Sequence, residues 1–244
     1  MALTRVTKTG NITVDGDIGI GVVPGEWSVN YPAFQIGQGG TFTGHRNNTQ
    51  TQLGQNWWVG TGNQYVVNGA ASRMIMNPDS TIIFSQAPSG TAGATMSTTH
   101  NRLVINPSGH VTTPSQPAFS IYGDTNPNWT SDVIYLGHTG SGAAAFDTNI
   151  GNHFSYTTGK FTAPVAGTYF FSFRATTADT NQHFIDIYKN GARVGGHTLS
   201  YSYAYLTAAN TAVLTLASGD YIEARRRASG YSFYTTNFSG FLIG

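Results

Sequence analysis

Carboxylates are the first side chains in this 244-residue sequence that could do chemistry, since eleven acidic residues are present. Glycoside hydrolysis needs two of them held a set distance apart across a sugar. Asp220 and Glu223 are three positions apart, so in one strand they would point to opposite faces of a sheet. Asp220 follows Gly219, and Asp15 and Asp17 stand in a predicted hairpin turn, so turn formation explains all three. The sequence therefore favours a protein that is not an enzyme.

The seven histidines show no metal-ligand spacing, because none forms an H-x-H or H-E-x-x-H pair. The chain has no cysteine, which excludes disulfides and thiolate metal sites. The sequence thus predicts neither a cofactor nor a metal site. A threefold axis could still gather three copies of one histidine around an ion.

Tyrosine, tryptophan and arginine are stronger candidates for function, because these residue types dominate binding hot spots. The stretch "LSYSYAYL" (199–206) would place three tyrosines on one strand face, either as a platform for sugars or as a buried interface strand. The stretch "RRRASGYSFYTT" (225–236) is either a binding loop or a solvated strand whose Arg226 faces away from its neighbours and pairs across subunits. The predicted receptor-binding residues are Trp129, Tyr201, Tyr203, Tyr205, Arg225, Arg227, Tyr231 and Tyr234.

The elements that position these residues are predicted to be strands throughout. No segment keeps a 3.6-residue period, whereas runs of period two bounded by Gly, Asn, Pro and Asp recur along the chain. Charged residues make up 9% of the chain, against roughly 25% in an ordinary soluble protein. The Lys and Arg residues form no basic stripe, so nucleic-acid binding is not expected. No apolar run approaches the ~18 residues of a membrane span, so membrane insertion is not expected.

Short hairpins characterise the first half of the chain. Three stretches share a plan of strand, tight turn and strand, namely "NITVDGDIGIG" (11–21), "RMIMNPDSTIIF" (73–84) and "RLVINPSGHVTT" (102–113). Such hairpins bury little alone and need each other or copies from neighbouring chains. Pro114 and Pro117 interrupt strand pairing and mark a boundary. We therefore predict an attachment segment over 1–30, a hairpin-rich domain over 31–115 and a terminal knob over 116–244.

The second half contains closely spaced strands typical of a sandwich or jelly roll, among them the hairpin "IYKNGARV" (187–194) with an Asn190-Gly191 turn. This half resembles the C1q family, the trimeric jelly rolls related to tumour necrosis factor. The matching positions are Asn149, Phe154, Phe161, Gly167, Tyr169, Phe171, Phe173, Gly219, Asp220, Phe238, Gly240 and Phe241. The sequence departs from the family pattern at Ala143, and Phe146, three residues later, is expected to supply the missing ring.

The resemblance implies an all-β fold in which a C1q-like jelly roll follows the hairpin region, assembled as a homotrimer. "FTAPVAGTYFFSF" (161–173) fits this expectation, because Phe170 points away from Tyr169, Phe171 and Phe173. In a trimer one ring-bearing face would fill the sandwich and the other would meet sister chains. Alternatively, Phe170 is a half-covered surface ring. The sequence leaves open which face is the core.

The first half is similar to the hairpin-built regions of bacteriophage tail-fibre proteins. Together the two resemblances predict a receptor-binding tail fibre on the virion surface, made in the host cytoplasm. Its first segment would contact other virion proteins, and its knob would bind a host glycan or protein without catalysis. The principal alternative is a virion structural, decoration or fibre-joining protein whose knob contacts another virion protein. A depolymerase and a bacterial or animal C1q-like lectin are further alternatives.

Overall fold

The computed structural model describes residues 17–24, 27–124, 145–178, 180, 182–199, 205–226 and 233–244. Within these ranges every regular element is a strand, and no helix is available to cross a membrane. The chain divides into two compact units, Met1–Pro114 and Ser115–Gly244. The narrower attachment segment over 1–30 stays a prediction.

The first unit is built on an eight-stranded sheet with a small two-stranded sheet beside it. The strands are β1 (Ile18–Ile20), β2 (Ala33–Ile36), β3 (Gly40–Gly44), β4 (Thr51–Gln55), β5 (Trp58–Val59), β6 (Asn63–Gln64), β7 (Gly69–Met76), β8 (Ile82–Gly90), β9 (His100–Ile105) and β10 (Val111–Thr112). The large sheet runs in the order β1-β2-β3-β4-β7-β8-β9-β10, and β5 pairs with β6. Its pairings are antiparallel except that β1 runs parallel to β2.

Two of the three predicted hairpins in this unit are confirmed. β7 and β8 are joined by a turn closed from Asn77 N to Thr81 O at 2.9 Å. β9 and β10 are joined by a turn closed from Asn106 N to His110 O at 3.0 Å. In the third, the predicted first arm lies outside the described residues, and β1 finds its partner in β2.

The second unit is a sandwich of two five-stranded antiparallel sheets. Its strands are β11 (Ala118–Asp124), β12 (Ala145–Ile150), β13 (Phe154–Ser155), β14 (Lys160–Thr162), β15 (Gly167–Thr177), β16 (His183–Lys189), β17 (Ala192–Leu199), β18 (Thr207–Leu216), β19 (Tyr221–Arg226) and β20 (Phe233–Leu242). The first sheet has the order β12-β11-β20-β15-β18, and the second has the order β13-β14-β19-β16-β17. Apart from the consecutive pairs β11–β12, β13–β14 and β16–β17, neighbours in each sheet are distant along the chain, as the predicted jelly roll requires.

The core of the sandwich is aromatic and fills the space between the two sheets. Alternate residues of β15 point inward, so Tyr169, Phe171 and Phe173 are fully buried while Phe170 points outward. Phe119 stacks on Phe161 of the opposite sheet, with ring centroids 5.0 Å apart. The face of β15 that the sequence left open is therefore assigned, and the odd-numbered rings form the core.

Several predicted strand boundaries need correction. The strands expected over 231–235 and 237–243 are one continuous strand, β20. Every residue from Thr235 to Phe241 pairs with both β11 and β15. The strand expected over 201–206 is absent in its described part, since Tyr205 lies in a bend before β18. The strand expected over 132–136 lies outside the described residues. The Asn190-Gly191 turn is confirmed, with φ values of 51° and 79° that suit a type I′ hairpin.

Candidate functional site

One end of the sandwich gathers the connections between several strands, and we call it the loop end. Thr176 of β15 pairs with Thr207 of β18 and with Thr235 of β20. His183 of β16 pairs with Leu199 of β17, so the second sheet also ends here. The segments that join β11 to β12, β15 to β16, β17 to β18 and β19 to β20 therefore all start and finish at the loop end.

Two exposed tyrosines meet at the loop end. The rings of Tyr205 and Tyr234 pack edge to face, with centroids 5.5 Å apart. Their side chains remain 67% and 43% exposed, respectively. Edge-to-face packing orients both rings while leaving flat apolar surface and a hydroxyl on each available to a ligand.

Tyr205 is positioned by the backbone rather than by a strand. Its N–H donates to the carbonyl of Thr177 at 3.0 Å, and the N–H of Thr177 donates to Leu206 O at 2.8 Å. The hydroxyl of Thr177 accepts a further bond from Leu206 N at 3.1 Å. Tyr205 itself adopts φ 65°, in the left-handed region that costs a non-glycine residue of order 1 kcal/mol. The predicted strand of tyrosines is thus wrong at Tyr205, and sequence reasoning missed the role of Thr177.

Arg225 does not join the two tyrosines. It lies on the outer face of β19, where its guanidinium is 4.6 Å from the ring centroid of Tyr188 and pairs with the carboxylate of Glu223. Tyr234, in contrast, lies on β20 of the other sheet. The grouping of Arg225 with Tyr234 in one binding loop is therefore corrected, because β19 and β20 belong to different sheets.

Five other predicted binding residues cannot be placed in the same way. Trp129, Tyr201, Tyr203, Arg227 and Tyr231 lie outside the described residues. Each belongs to a connection whose flanking strands terminate at the loop end. Their role in binding stays a prediction.

A row of apolar side chains crosses the outer face of the first sheet, and we call it the knob stripe. Its members are paired in register from β12 to β18 and are Ile150, Ala118, Phe241, Phe170 and Val213. Phe170 and Phe241 pack against each other with ring centroids 5.4 Å apart. Even so, Phe241 is 47% exposed and Val213 is 62% exposed. The outward ring on β15 is therefore one part of an apolar surface that spans the whole sheet.

Comparison with known proteins bears on the second unit. Residues 141–243 match the family model of the C1q domain. The second unit contains a C1q domain. The all-β jelly roll expected from the resemblance is confirmed, since the matched region contributes strands to both packed sheets. Ala143 and the side chain of Phe146, where the sequence departs from the family pattern, lie outside the described residues.

Relatives of the C1q domain include animal proteins. Complement C1q tumor necrosis factor-related protein 3 of Homo sapiens is 36% identical over 108 residues, which cover 41% of this chain and 43% of that protein. The Mus musculus protein of the same name is 34% identical over 110 residues, with coverage of 41% and 43%. The chain thus spans less than half the length of these relatives. Among solved structures, the globular domain of zebrafish complement 1qA protein is 25% identical with a TM-score of 0.40, covering 53% of this chain and 98% of that chain.

The family positions within the C1q domain have clear structural roles. Asn149 clamps the turn after β12, because its amide donates to Phe154 O at 3.1 Å and its carbonyl accepts from Phe154 N at 3.2 Å. Gly240 allows two rings to approach the backbone of β20, since a Cβ there would lie 2.5 Å from Phe171 and 2.9 Å from Phe119. These residues build the scaffold and do not line the loop end.

Asp220 ties together the two turns at the opposite end of the C1q domain. Its carboxylate accepts hydrogen bonds from Asn190 Nδ2 at 2.7 Å and from Ala217 N at 2.8 Å. The ammonium of Lys189 lies 3.0 Å away. The bond from Asn190, followed by those from Ala217 and Lys189, lowers the pKa of Asp220 to about 2. This network explains why a family position falls on a turn residue.

We predict that Asp220→Asn lowers the Tm of the C1q domain at pH 7. All three partners donate hydrogen bonds, so an amide NH₂ would face donors and the charge attraction to Lys189 would be lost. Because the folded pKa is depressed to about 2, the stabilisation is complete above the unfolded pKa of about 4 and disappears as the pH falls through 2. Scanning calorimetry should show a smaller difference in Tm between the natural protein and Asp220→Asn at pH 3 than at pH 7. A constant difference across this range would contradict the role of Asp220.

Two of the remaining acids of the C1q domain, Asp186 and Glu223, are fully buried on neighbouring strands. Glu223 is fully buried and is held by Arg225, with the ammonium of Lys160 3.9 Å from its other oxygen. Within the described ranges no three His, Asp or Glu side chains cluster as metal ligands. The match to a C1q domain indicates no catalytic family.

Proposed function

We propose that this protein is a non-catalytic homotrimeric recognition protein whose C1q domain binds a surface ligand through its loop end. The observation that carries the proposal is the knob stripe, an apolar surface on a sandwich whose core is already filled. The resemblance to the C1q family, whose members are trimeric jelly rolls, supports three copies.

The chemistry of the knob stripe suits contact with sister chains. Phe241 and Val213 leave about half or more of their surface in water in a single chain. The adjacent row on the same face carries only hydroxyl side chains and consists of Thr148, Ser120, Ser239, Ser172 and Thr211. These two rows carry no charge and can approach their own copies without electrostatic repulsion, and symmetric closure then hides them from water, whereas Arg174 lies in the next row.

The loop end is the natural surface for a ligand, because it lies opposite the point where the chain enters the C1q domain. Ala118, near the entry, pairs with Phe241, and Gly244 accepts a hydrogen bond from Thr168 N at 2.8 Å. Entry and C-terminus therefore share one end, and Tyr205 and Tyr234 occupy the other. Paired aromatic rings with hydroxyls suit sugars, and three copies per trimer raise the avidity of weak sites.

We propose a bacteriophage tail fibre as the setting, with the virion surface as location. The support is the hairpin-built first unit, which is similar to such regions, together with a largely uncharged chain that would bind glycans at any salt concentration. The first segment would then contact other virion proteins, and the loop end would contact a host glycan or protein.

A second candidate is a C1q-like recognition protein of the animal type. It is favoured by the 36% identity to the human protein named above. Both candidates share the trimer and the loop end and differ in the partner. A glycan array and a panel of intact bacterial and animal cells, probed with the labelled full chain, separate them. Binding to no cell or glycan would favour a structural protein whose knob contacts another virion component.

We predict that the double variant Tyr205→Ala, Tyr234→Ala weakens binding to the best cell or glycan by at least about 10-fold, since hot-spot aromatics contribute more than 1 kcal/mol each. Surface plasmon resonance on that ligand, with sedimentation to verify an unchanged mass, measures the effect. Tyr221→Ala removes a tyrosine from the opposite end of the domain and is the control. Equal binding by the double variant and the control would exclude these rings from the ligand site.

A further inference from the structure

The large sheet of the first unit has an inverted distribution of polarity. Its covered face, packed beneath Trp27, Trp57 and Tyr65, buries polar side chains together with the apolar Ala33, Ala71, Ile75 and Ala87. The buried polar residues on that face are Gln35, Thr41, Thr43, Gln52 and Ser85. We call the opposite face the open face. An isolated domain ordinarily buries its apolar face and exposes its polar one, so this arrangement requires an explanation.

Arg73 of β7 makes its contacts on the covered face within its own chain, although its Nε is buried without a hydrogen-bond partner. Its guanidinium lies 4.2 Å from the ring centroid of Trp57 and donates to Gln52 Oε1 at 2.9 Å and to Asn63 Oδ1 at 3.1 Å. Burial lowers the pKa of Arg73 to about 10. The polar residues beneath the loops are thus packed inside the first unit.

The open face carries an apolar row that crosses seven strands in register. The row runs from β1 to β9 and consists of Ile18, Phe34, Phe42, Leu53, Met74, Phe84 and Leu103. Phe42, Leu53 and Phe84 are each between 42% and 48% exposed. The flanking row on one side adds Met76, Ile82, Ile105 and Val111, and the flanking row on the other side adds Ile20 and Ile36.

The size of this surface approaches that of a protein interface. Seven strands spaced about 4.8 Å apart give a length of about 34 Å, and three rows about 6.7 Å apart give a width of about 20 Å. The resulting face of about 700 Å² also carries polar side chains, among them Gln55, Ser72 and Gln86, and its size is close to the ~800 Å² that each partner buries in a standard interface.

The charge of the open face points to a copy of the same chain as the partner. No Asp, Glu, Lys or Arg occupies any of the three rows in the described strands. Arg102 lies at the margin, where its Nε donates to Gln86 Oε1 at 3.1 Å. Arg102 also lines a depression with Leu53, Met74 and Phe84. Apart from this residue the face offers no charge to an oppositely charged partner, and two identical faces would meet little repulsion. The surface is also long and narrow, which suits copies arranged around an axis parallel to the row.

We propose that the open faces of sister chains pack against one another around a shared axis that runs along the apolar row. Three stripes meeting in this way would form a stalk with a continuous apolar interior, coiling with the twist of the sheets. The proposal rests on the proposed trimer and assigns it a second interface, separate from the knob stripe.

Cysteine labelling of the full chain tests this interface, because the natural sequence contains no cysteine. Leu53→Cys lies at the centre of the row, and Asp79→Cys lies in the exposed turn between β7 and β8 as the control. The thiol at position 53 should react with Ellman's reagent at least about 100-fold more slowly than the thiol at position 79, because only a locally opened interface exposes it. Equal rates would overturn the proposal.

A second readout identifies what covers the face. Pyrene-maleimide is attached at position 53, in one sample on a minor fraction of the chains and in another on all of them. Excimer emission is expected only where sister chains bring two pyrenes together. Protection without an excimer would mean that another part of the same chain, or another partner, covers the face, and would overturn the proposal. Phe42→Cys, on the neighbouring strand in the same row, repeats both measurements if the first variant folds poorly.

Sedimentation of the same samples separates this proposal from the proposed function. A trimer with a freely reactive thiol at position 53 would retain the trimeric knob and reject the stalk interface. A monomer with a freely reactive thiol would reject both.

Discussion

Replacing Phe171 by alanine should lower the free energy of unfolding of the C1q domain by about 3–5 kcal/mol, because the cavity forms in a close-packed aromatic core. The ring is fully buried and lies between both sheets. Its centroid is 5.7 Å from that of Phe161 and 6.3 Å from that of Phe238. Native-state hydrogen exchange of the β15 and β20 amides measures the loss within the C1q domain, independently of the first unit.

The neighbouring residue is the matched control for this prediction. Phe170→Ala removes the same ring one position earlier, from the half-buried knob stripe, and should destabilise the folded chain by about 1 kcal/mol. Both variants are measured at one fixed protein concentration, since association contributes to apparent stability. Equal losses at positions 170 and 171 would contradict the assignment of inner and outer faces.

Val213→Lys should convert the trimer into monomers at micromolar concentration. Val213 is 62% exposed in a single chain, so lysine there would be solvated and the domain would still fold. In a trimer the charge would be desolvated against the knob stripe of a sister chain at three equivalent positions, weakening assembly by at least about 100-fold. Sedimentation equilibrium of the variant measures the change.

The control for the knob stripe lies on the other sheet of the same domain. Val194 is 41% exposed on β17, and Val194→Lys makes the same chemical change away from the stripe. Its mass should stay that of the natural protein. A trimer that persists in Val213→Lys, or dissociates equally in both variants, would rule out this face as the subunit interface.

The all-β class and the positions of the main strands follow from local pattern alone. Alternation with period two and the Asn190-Gly191 turn specify strand and hairpin through backbone geometry, which needs no distant partner. The C1q resemblance likewise depends on residues near one another in sequence, and the role of Asn149 as a turn clamp is local.

The candidate site was predictable only in part. Tyr205 and Tyr234 were identified as residue types, but their meeting depends on Thr177, which holds the preceding segment by backbone hydrogen bonds. The local pattern groups Arg225 with Tyr234 in one binding loop. The two residues lie in different sheets, although they are close in sequence. Contacts of this kind depend on the crossing of strands that are distant along the chain.

Alternation of residue types along a strand indicates that its two faces differ, and the sequence by itself determined this difference for the strands of both units. Only the tertiary structure decided which face is inside. On β15 the odd-numbered rings meet the second sheet, and in the first unit the loops around Trp57 cover the polar face and leave Leu53 in water. The physical reason is that the burial of a face depends on what packs against it. The same pleated strand can have either of its two faces buried.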